Sequence, residues 1–484
     1  MTAGAVTSES HPPLRESLRI AGEKVSRDRV IEVRHPYSGA LVGTVPKATA
    51  DDVKRALKIG RSFKPKLTRH DRYKILMKAG AIIASKRDDL ARLITLESGL
   101  CLKDSQYEVG RASDVLLFAA NQALVDDGEV FSCDLTAHGK SRKVYTMREP
   151  LLGAITAITP FNHPLNQVIH KVAPAVATNN RVVLKPSEKT PLTALALADI
   201  LYEAGLPPEM LSVVTGDPAE IADELLTSGD VDLVTFTGGV SVGKHIAATA
   251  VYKRQVLELG GNDPIIVLED ADLEEAATLA ASGSYKNSGQ RCTAVKRILV
   301  QASVADRFVE LLVEKTRAVK YGDPFDPTMD MGTVIDESSA RAFEAVVNEA
   351  VADGARLLIG NVRRGALYSP TVLDGVTPRM TVVRHETFGP VSPVIRFQTV
   401  DEAISIANGT AYGLSSSLCT NRIDLITRFV QELQVGSVNV REVPGYRLEM
   451  TPFGGVKDSG LGYKEGVLEA MKSFCNTKTY SLPW

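Results

Sequence analysis

Cys292 and Glu258 are the two side chains whose surroundings ask for chemistry rather than packing. Cys292 lies in Lys286-Asn-Ser-Gly-Gln-Arg-Cys-Thr-Ala-Val-Lys-Arg297, among small, polar and cationic neighbours just after a helical pattern. A thiol is a weak nucleophile near its free pKa of about 8.5, and adjacent positive charge, here Arg291, favours the reactive anion. Glu258 is a lone carboxylate in the otherwise apolar run Val256-Leu-Glu-Leu-Gly-Gly-Asn262. Burial in such a segment is expected to raise its pKa toward neutrality, which suits a general base. Each residue has a plainer reading, a small buried hydrophobe for the thiol and an ion-pair partner for the carboxylate.

Both residues must be held by rigid elements. From Gly153 to Leu259, β-rich runs (154–159, 182–185, 212–215, 233–237 and 255–259) alternate with helical patterns. Strands separated by crossover helices predict right-handed βαβ units and a parallel sheet, with a nucleotide beyond the carboxyl ends of its strands. No G-x-G-x-x-G is present, but Phe236-Thr-Gly-Gly-Val-Ser-Val-Gly243 follows a strand and opens a helix. Its backbone N–H groups at Gly238, Gly239 and Gly243 could meet a pyrophosphate, or simply make a tight turn. Upstream, extended segments at 30–45 precede helical patterns over 70–98 and 104–125, the second carrying Glu108, Arg111 and Val115 on one face. The first dozen residues read as frayed. Residues 126–150 read as a hairpin leaving the domain. Beyond Glu258 a helix is expected over 272–288, a strand at 297–301, a helix over 304–319, and further strands at 356–359, 394–397, 414–419 and 437–440. The tail, 471–484, contains a strand-like run that needs a partner.

Composition bounds the function. At 484 residues the chain is too long for one core. A net charge of −2 gives no basic field for nucleic acid or membrane, so any bound anion must be met by local cations. Five scattered cysteines without CxxC spacing argue against a disulfide framework and a zinc site, so no metal is expected. With no leader pattern and no apolar run of spanning length, a cytoplasmic protein is expected.

Leu257-Glu-Leu-Gly-Gly-Asn262 and Gly289-Gln-Arg-Cys292, in this order and at this separation, resemble the glutamate and cysteine signatures of the aldehyde dehydrogenase superfamily. The resemblance implies an α/β fold with a Rossmann-type parallel sheet domain, a second α/β catalytic domain and a β-arm for oligomerisation. Residues 1–126 and 150–257 would form the dinucleotide-binding domain, 258–453 the catalytic domain, and 127–149 with 471–484 the arm and tail of a homodimer or homotetramer. It implies NAD as cofactor, Cys292 as nucleophile, Glu258 as the base for the hydrolytic water, and Asn162 of Thr159-Pro-Phe-Asn-His-Pro164 as the oxyanion donor, although Asn162 alone reads as a turn residue. Lys185 and Glu188 would meet the adenosine ribose, Gly238, Gly239 and Gly243 the pyrophosphate, and Glu386 and Phe388 the nicotinamide ribose and ring. Gly239 stands where the family usually has serine. Pro452-Phe-Gly-Gly-Val-Lys-Asp-Ser-Gly-Leu-Gly462 matches the C-terminal signature, while the spacing at Glu465 departs from the common pattern. A coenzyme A-acylating enzyme commonly lacks the glutamate, and a retired structural protein would not need all three catalytic residues.

Arg111, Arg291 and Arg447 occupy regions that line the family's substrate funnel, and together they suggest a planar, multidentate site for a dianion. Leu96-Glu-Ser-Gly-Leu-Cys-Leu-Lys-Asp104, Phe161-Asn-His-Pro-Leu-Asn166 and Tyr446-Arg447 resemble the branch of the family that oxidises phosphonoacetaldehyde to phosphonoacetate. In that reading His163 completes the anion site. The alternative branch is non-phosphorylating glyceraldehyde-3-phosphate dehydrogenase or another semialdehyde dehydrogenase.

Overall fold

The computed structural model describes residues 12–125, 128–462 and 465–483. The stretch read as frayed falls almost wholly outside them. Two seven-stranded sheets organise the molecule, and their inner strands are runs buried on both faces, as parallel sheets require.

The first sheet runs Arg254–Glu258, Val231–Thr237, Ala154–Ile158, Val182–Lys185, Leu211–Val213, Leu18–Ile20 and Glu23–Val25. The first five are parallel, and the last two, not foreseen from the sequence, add antiparallel edges. Chain order reverses beside Ala154–Ile158: the following strands extend to one side, while Val231–Thr237 and Arg254–Glu258 return on the other. That switch point opens a crevice at the carboxyl ends. The second sheet runs Arg356–Ile359, Thr371–Asp374, Val391–Phe397, Val295–Gln301, Asp263–Val267, Ser415–Cys419 and Ser437–Val440, parallel except at its first strand. Asp263–Val267 lies inside it, paired in parallel with Val295–Gln301 on one side and Ser415–Cys419 on the other.

The helix Leu102–Ala123 packs on Asn166–Ala177, every residue of which is buried. A fully buried helix that contains His170 and Lys171 must supply partners for both, because an unpaired buried charge costs several kcal/mol. The tail strand Cys475–Leu482 finds its partner within the chain, pairing antiparallel with Lys143–Pro150, which also pairs with Val130–Ser132. Its need for a partner therefore does not by itself call for a second subunit. No helix among the described residues is long and apolar enough to cross a membrane.

Candidate active site

Four neighbouring strands of the first sheet deliver their carboxyl ends to one crevice. They place Glu258, the Gly238–Gly239 turn, Asn162, and the pair Lys185 and Glu188 side by side. The amino ends of three second-sheet strands face them: Cys292 lies just before Val295–Gln301, Glu386 and Phe388 just before Val391–Phe397, and Asp263–Val267 begins after Asn262. The resulting cleft has a volume of about 800 Å³, and its walls include Asn162, Lys185, Glu188, Gly239, Cys292, Glu386 and Phe388.

Backbone strain sets the position of Cys292. The expected helix ends at Tyr285, and Asn287, Ser288 and Gly289 then adopt left-handed φ values of 55°, 54° and 72°. A Cβ on Gly289 would collide with the Gly389 carbonyl, so only glycine fits there. The strained turn is pinned by hydrogen bonds: Asn287 N–H donates to Asp104 (2.9 Å), Asn287 Nδ2 to the Asn162 carbonyl (3.3 Å), and Ser288 Oγ to the Gly332 carbonyl (3.2 Å). The two functional loops are thereby fastened together. Asn162 Nδ2 donates to the Gln290 carbonyl at 2.8 Å, which fixes its rotamer and leaves its second amide hydrogen for another acceptor.

The electrostatics correct one expectation. Burial pushes the Cys292 thiol up to about 11, against the pull of Lys296 and Arg447, with Asp263 and Glu386 adding to the rise. Arg291 does not dominate. Desolvation wins over Lys296, the strongest of the opposing cations, which is spent on the Gly261 and Cys292 carbonyls and on Glu386 (2.7 Å). Glu258 is buried at the end of its strand, fixed by backbone pairing to Thr237 and Gly460.

The crevice suits a dinucleotide. The helix Val240–Thr249 opens on Gly239, where a Cβ would meet nothing within 4 Å, so space stands over its unpaired N–H groups. The absent serine leaves the helix without a side-chain cap. A Cβ on Gly243 would strike Leu259, which keeps the helix close against the sheet. Lys185 is buried, 3.5 Å from the half-exposed Glu188. Glu386 receives the Gly261 N–H (3.2 Å), and Phe388 stands edge-on to Phe161 at 5.9 Å.

The three arginines converge, though not as free charges. Arg111 pairs with Glu449, which also accepts from His170 (2.6 Å) and lies 3.8 Å from Arg447. Burial works to raise Glu449, but His170, Arg447 and Arg111 together hold it well below the usual carboxylate range. Arg111 is therefore partly neutralised within the chain, against the expectation of three open cations. Arg447 stacks on Phe453 at 3.9 Å, and its Nη1 is buried without a hydrogen-bond partner among the described residues; so is Arg291 Nε. The charges of both act on Cys292. Buried His163 lies 3.5 Å from Glu108 and within 3.2 Å of Asn287 Nδ2, and burial lowers its pKa despite Glu108. Sequence reasoning missed Lys296, His170, Lys171, Glu449 and the pairing of Lys171 with Glu465 (2.6 Å). A lysine and a histidine inside the apolar run Val168-Ile-His-Lys-Val-Ala173 were the available signal.

The aldehyde dehydrogenase family model matches residues 23–480. The chain belongs to the aldehyde dehydrogenase family. Among family members, it is 39% identical over 450 residues to 3-sulfolactaldehyde dehydrogenase of Priestia aryabhattai, covering 93% of this chain and 94% of that protein. It is 37% identical over 448 residues to sulfoacetaldehyde dehydrogenase of Neptuniibacter caesariensis, covering 92% and 98%. Among solved structures of this family, NADP-dependent glyceraldehyde-3-phosphate dehydrogenase from Bacillus halodurans, complexed with NADP, superposes with a TM-score of 0.94 at 36% identity, covering 97% of this chain and 99% of that one.

Proposed function

We propose that this family member oxidises a short anionic aldehyde, phosphonoacetaldehyde to phosphonoacetate, through a thioester on Cys292 that water then releases. The observation that carries the substrate class is the pair of buried guanidinium nitrogens, Arg291 Nε and Arg447 Nη1, left without partners beside the thiol. A buried donor left unmet costs about 1–3 kcal/mol, more when charged, and an oxyanion on the substrate would relieve it. His163 and the remaining donors of Arg111 complete the rim of that site.

Cys292 Sγ gives its proton to solvent water and bonds to the aldehyde carbon, the carbonyl π bond opens, and its oxygen gathers charge toward the Cys292 N–H and the spare amide hydrogen of Asn162. Lys185 and Glu188 would hold the adenosine end of a nicotinamide dinucleotide, Gly238, Gly239 and Gly243 its pyrophosphate, and Glu386 and Phe388 its nicotinamide end, and the bound group would supply the acceptor for the hydride that the former aldehyde carbon gives up as the Cys292 thioester forms. Glu258 takes a proton from water, the hydroxide adds to the thioester carbon, and the carbon–sulfur bond breaks to return the thiolate and the carboxylate product. NAD is preferred over NADP because a 2′-phosphate would meet the Glu188 carboxylate, with Lys185 softening the difference. The working particle is a homodimer or homotetramer assembled through the arm 127–149 and tail 471–484.

A sulfonate in place of the phosphonate is the second reading. Two relatives are named for sulfonated aldehydes, and the hold of Glu449 on Arg111 leaves less free charge for a dianion. The deciding measurement is kcat/KM for phosphonoacetaldehyde, sulfoacetaldehyde, glyceraldehyde-3-phosphate and uncharged propionaldehyde, with NAD and with NADP. Phosphonoacetaldehyde with NAD should lead, and Arg447→Ala should cost about 2–5 kcal/mol in kcat/KM for it, as for a desolvated charge pair, while sparing propionaldehyde. A lead for sulfoacetaldehyde would move the assignment to the second reading. Equal efficiency with propionaldehyde would remove the anion from it.

A further inference from the structure

Lys286 begins the segment that turns into Cys292, and nothing in the reaction described above uses it. Its ammonium lies 3.3 Å from the centre of the Tyr107 ring, and the Arg111 guanidinium lies 6.0 Å from the same ring. Tyr107 is 53% exposed, so this cation stands on the solvent side of the arginines. Among the described residues the ammonium makes no hydrogen bond or ion pair. The neighbouring carboxylates are each held by backbone through one oxygen: Asp104 accepts the Asn287 N–H at 2.9 Å, and Glu108 Oε1 accepts those of Leu165 and Asn166 at 2.8 and 2.9 Å, while Glu108 Oε2 faces His163 at 3.5 Å.

The arginines nearby are fixed. Arg111 is held by Glu449, Arg291 Nη2 donates to the Gly283 carbonyl at 3.2 Å, and Arg447 is stacked on Phe453. Lys286 differs in kind, since a compact ammonium on a four-carbon stem swings about a face of an aromatic ring that orients it only weakly. Burial acts most strongly on this ammonium, the Asp104 carboxylate attracts it, and Arg291 and Arg111 repel it, so it belongs to the same cluster of charges as the arginines.

Resting on the anionic-aldehyde reading above, we propose that Lys286 is a specificity-determining residue whose ammonium leaves the Tyr107 ring to meet the oxyanion of the entering aldehyde. A charge-assisted hydrogen bond to phosphonate or sulfonate is stronger than the ring contact it replaces. Tyr107 then serves as the resting place that keeps the ammonium from closing on Asp104 between turnovers.

The test is the steady-state kinetics of the full-length enzyme with NAD, comparing Lys286→Met, Lys286→Gln and Lys286→Arg on phosphonoacetaldehyde and on propionaldehyde. The neutral variants should raise KM for phosphonoacetaldehyde by about tenfold or more, with kcat within about twofold. Propionaldehyde parameters should not move, which also reports that the variants are folded, and Lys286→Arg should restore KM to within about threefold of the wild type. An unchanged KM for the anionic aldehyde in the neutral variants, or equal losses with both aldehydes, would overturn the role of Lys286 while the substrate reading stands. A wild type with no preference for the anionic aldehyde would overturn the substrate reading, and this role with it.

Discussion

Cys292 shows how burial and neighbouring charge compete at a single atom. Arg291 adjoins it in sequence and Lys296 and Arg447 approach it in space, yet enclosure leaves the thiol at about 11. A raised pKa keeps the protonated, unreactive form dominant at neutral pH and yields thiolate only as the pH climbs toward that value. Alkylation of Cys292 by iodoacetamide in the cofactor-free protein, followed by peptide mass spectrometry to separate it from the other cysteines, should therefore accelerate continuously from pH 7 to about 10. A plateau below about pH 8 would mean that the surrounding cations outweigh burial. Cys292, Glu258 and Asn162 stand out in the sequence because each sits in a short local motif. Glu449 and His170, 279 positions apart, and Lys171 and Glu465, 294 apart, do not. Nothing local distinguishes a carboxylate that neutralises a distant arginine from one on the surface, which is also why Arg111 read as an open charge.

At the scale of elements, the left-handed run Asn287-Ser-Gly289 does the positioning. It converts the end of a helix into a turn that brings Cys292 to the crevice, and Asn287 hydrogen-bonds that turn to Asp104 and the Asn162 loop. Helical periodicity continues through Ser288 in the sequence, so the helix read there ends three residues early in the structure. Conformations of this kind cost about 1–3 kcal/mol each and persist only where their surroundings enforce them. Gly289→Ala adds a forbidden φ and a collision with Gly389, so it should lower the free energy of urea unfolding by at least about that amount and reduce turnover more steeply than it reduces stability. Wild-type stability and turnover in that variant would mean the turn can relax without consequence.

For the whole molecule, the two-sheet plan was legible from alternating strand and helix patterns, whereas the edge strands Leu18–Ile20 and Glu23–Val25 were too short to register. The arm illustrates the limit of edge arguments. Cys475–Leu482 satisfies one edge on Lys143–Pro150, and its other side pairs with no strand among the described residues. An open edge is a place for a neighbouring copy, so sedimentation equilibrium should give a mass of two or four chains, and a monomer at micromolar concentration would contradict the proposed assembly. The proposed division of labour between the two halves of the crevice is that the second sheet supplies the attacking thiol and the first the carboxylate that activates water to free it. It is tested most directly by rapid mixing of Glu258→Gln with NAD and the anionic aldehyde, following NADH absorbance. A first-turnover burst approaching one NADH per active site, followed by a steady rate about 10²–10⁴-fold below wild type, is the predicted result, with neither phase present in Cys292→Ala. Full steady-state turnover in Glu258→Gln, or NADH formation by Cys292→Ala, would contradict it.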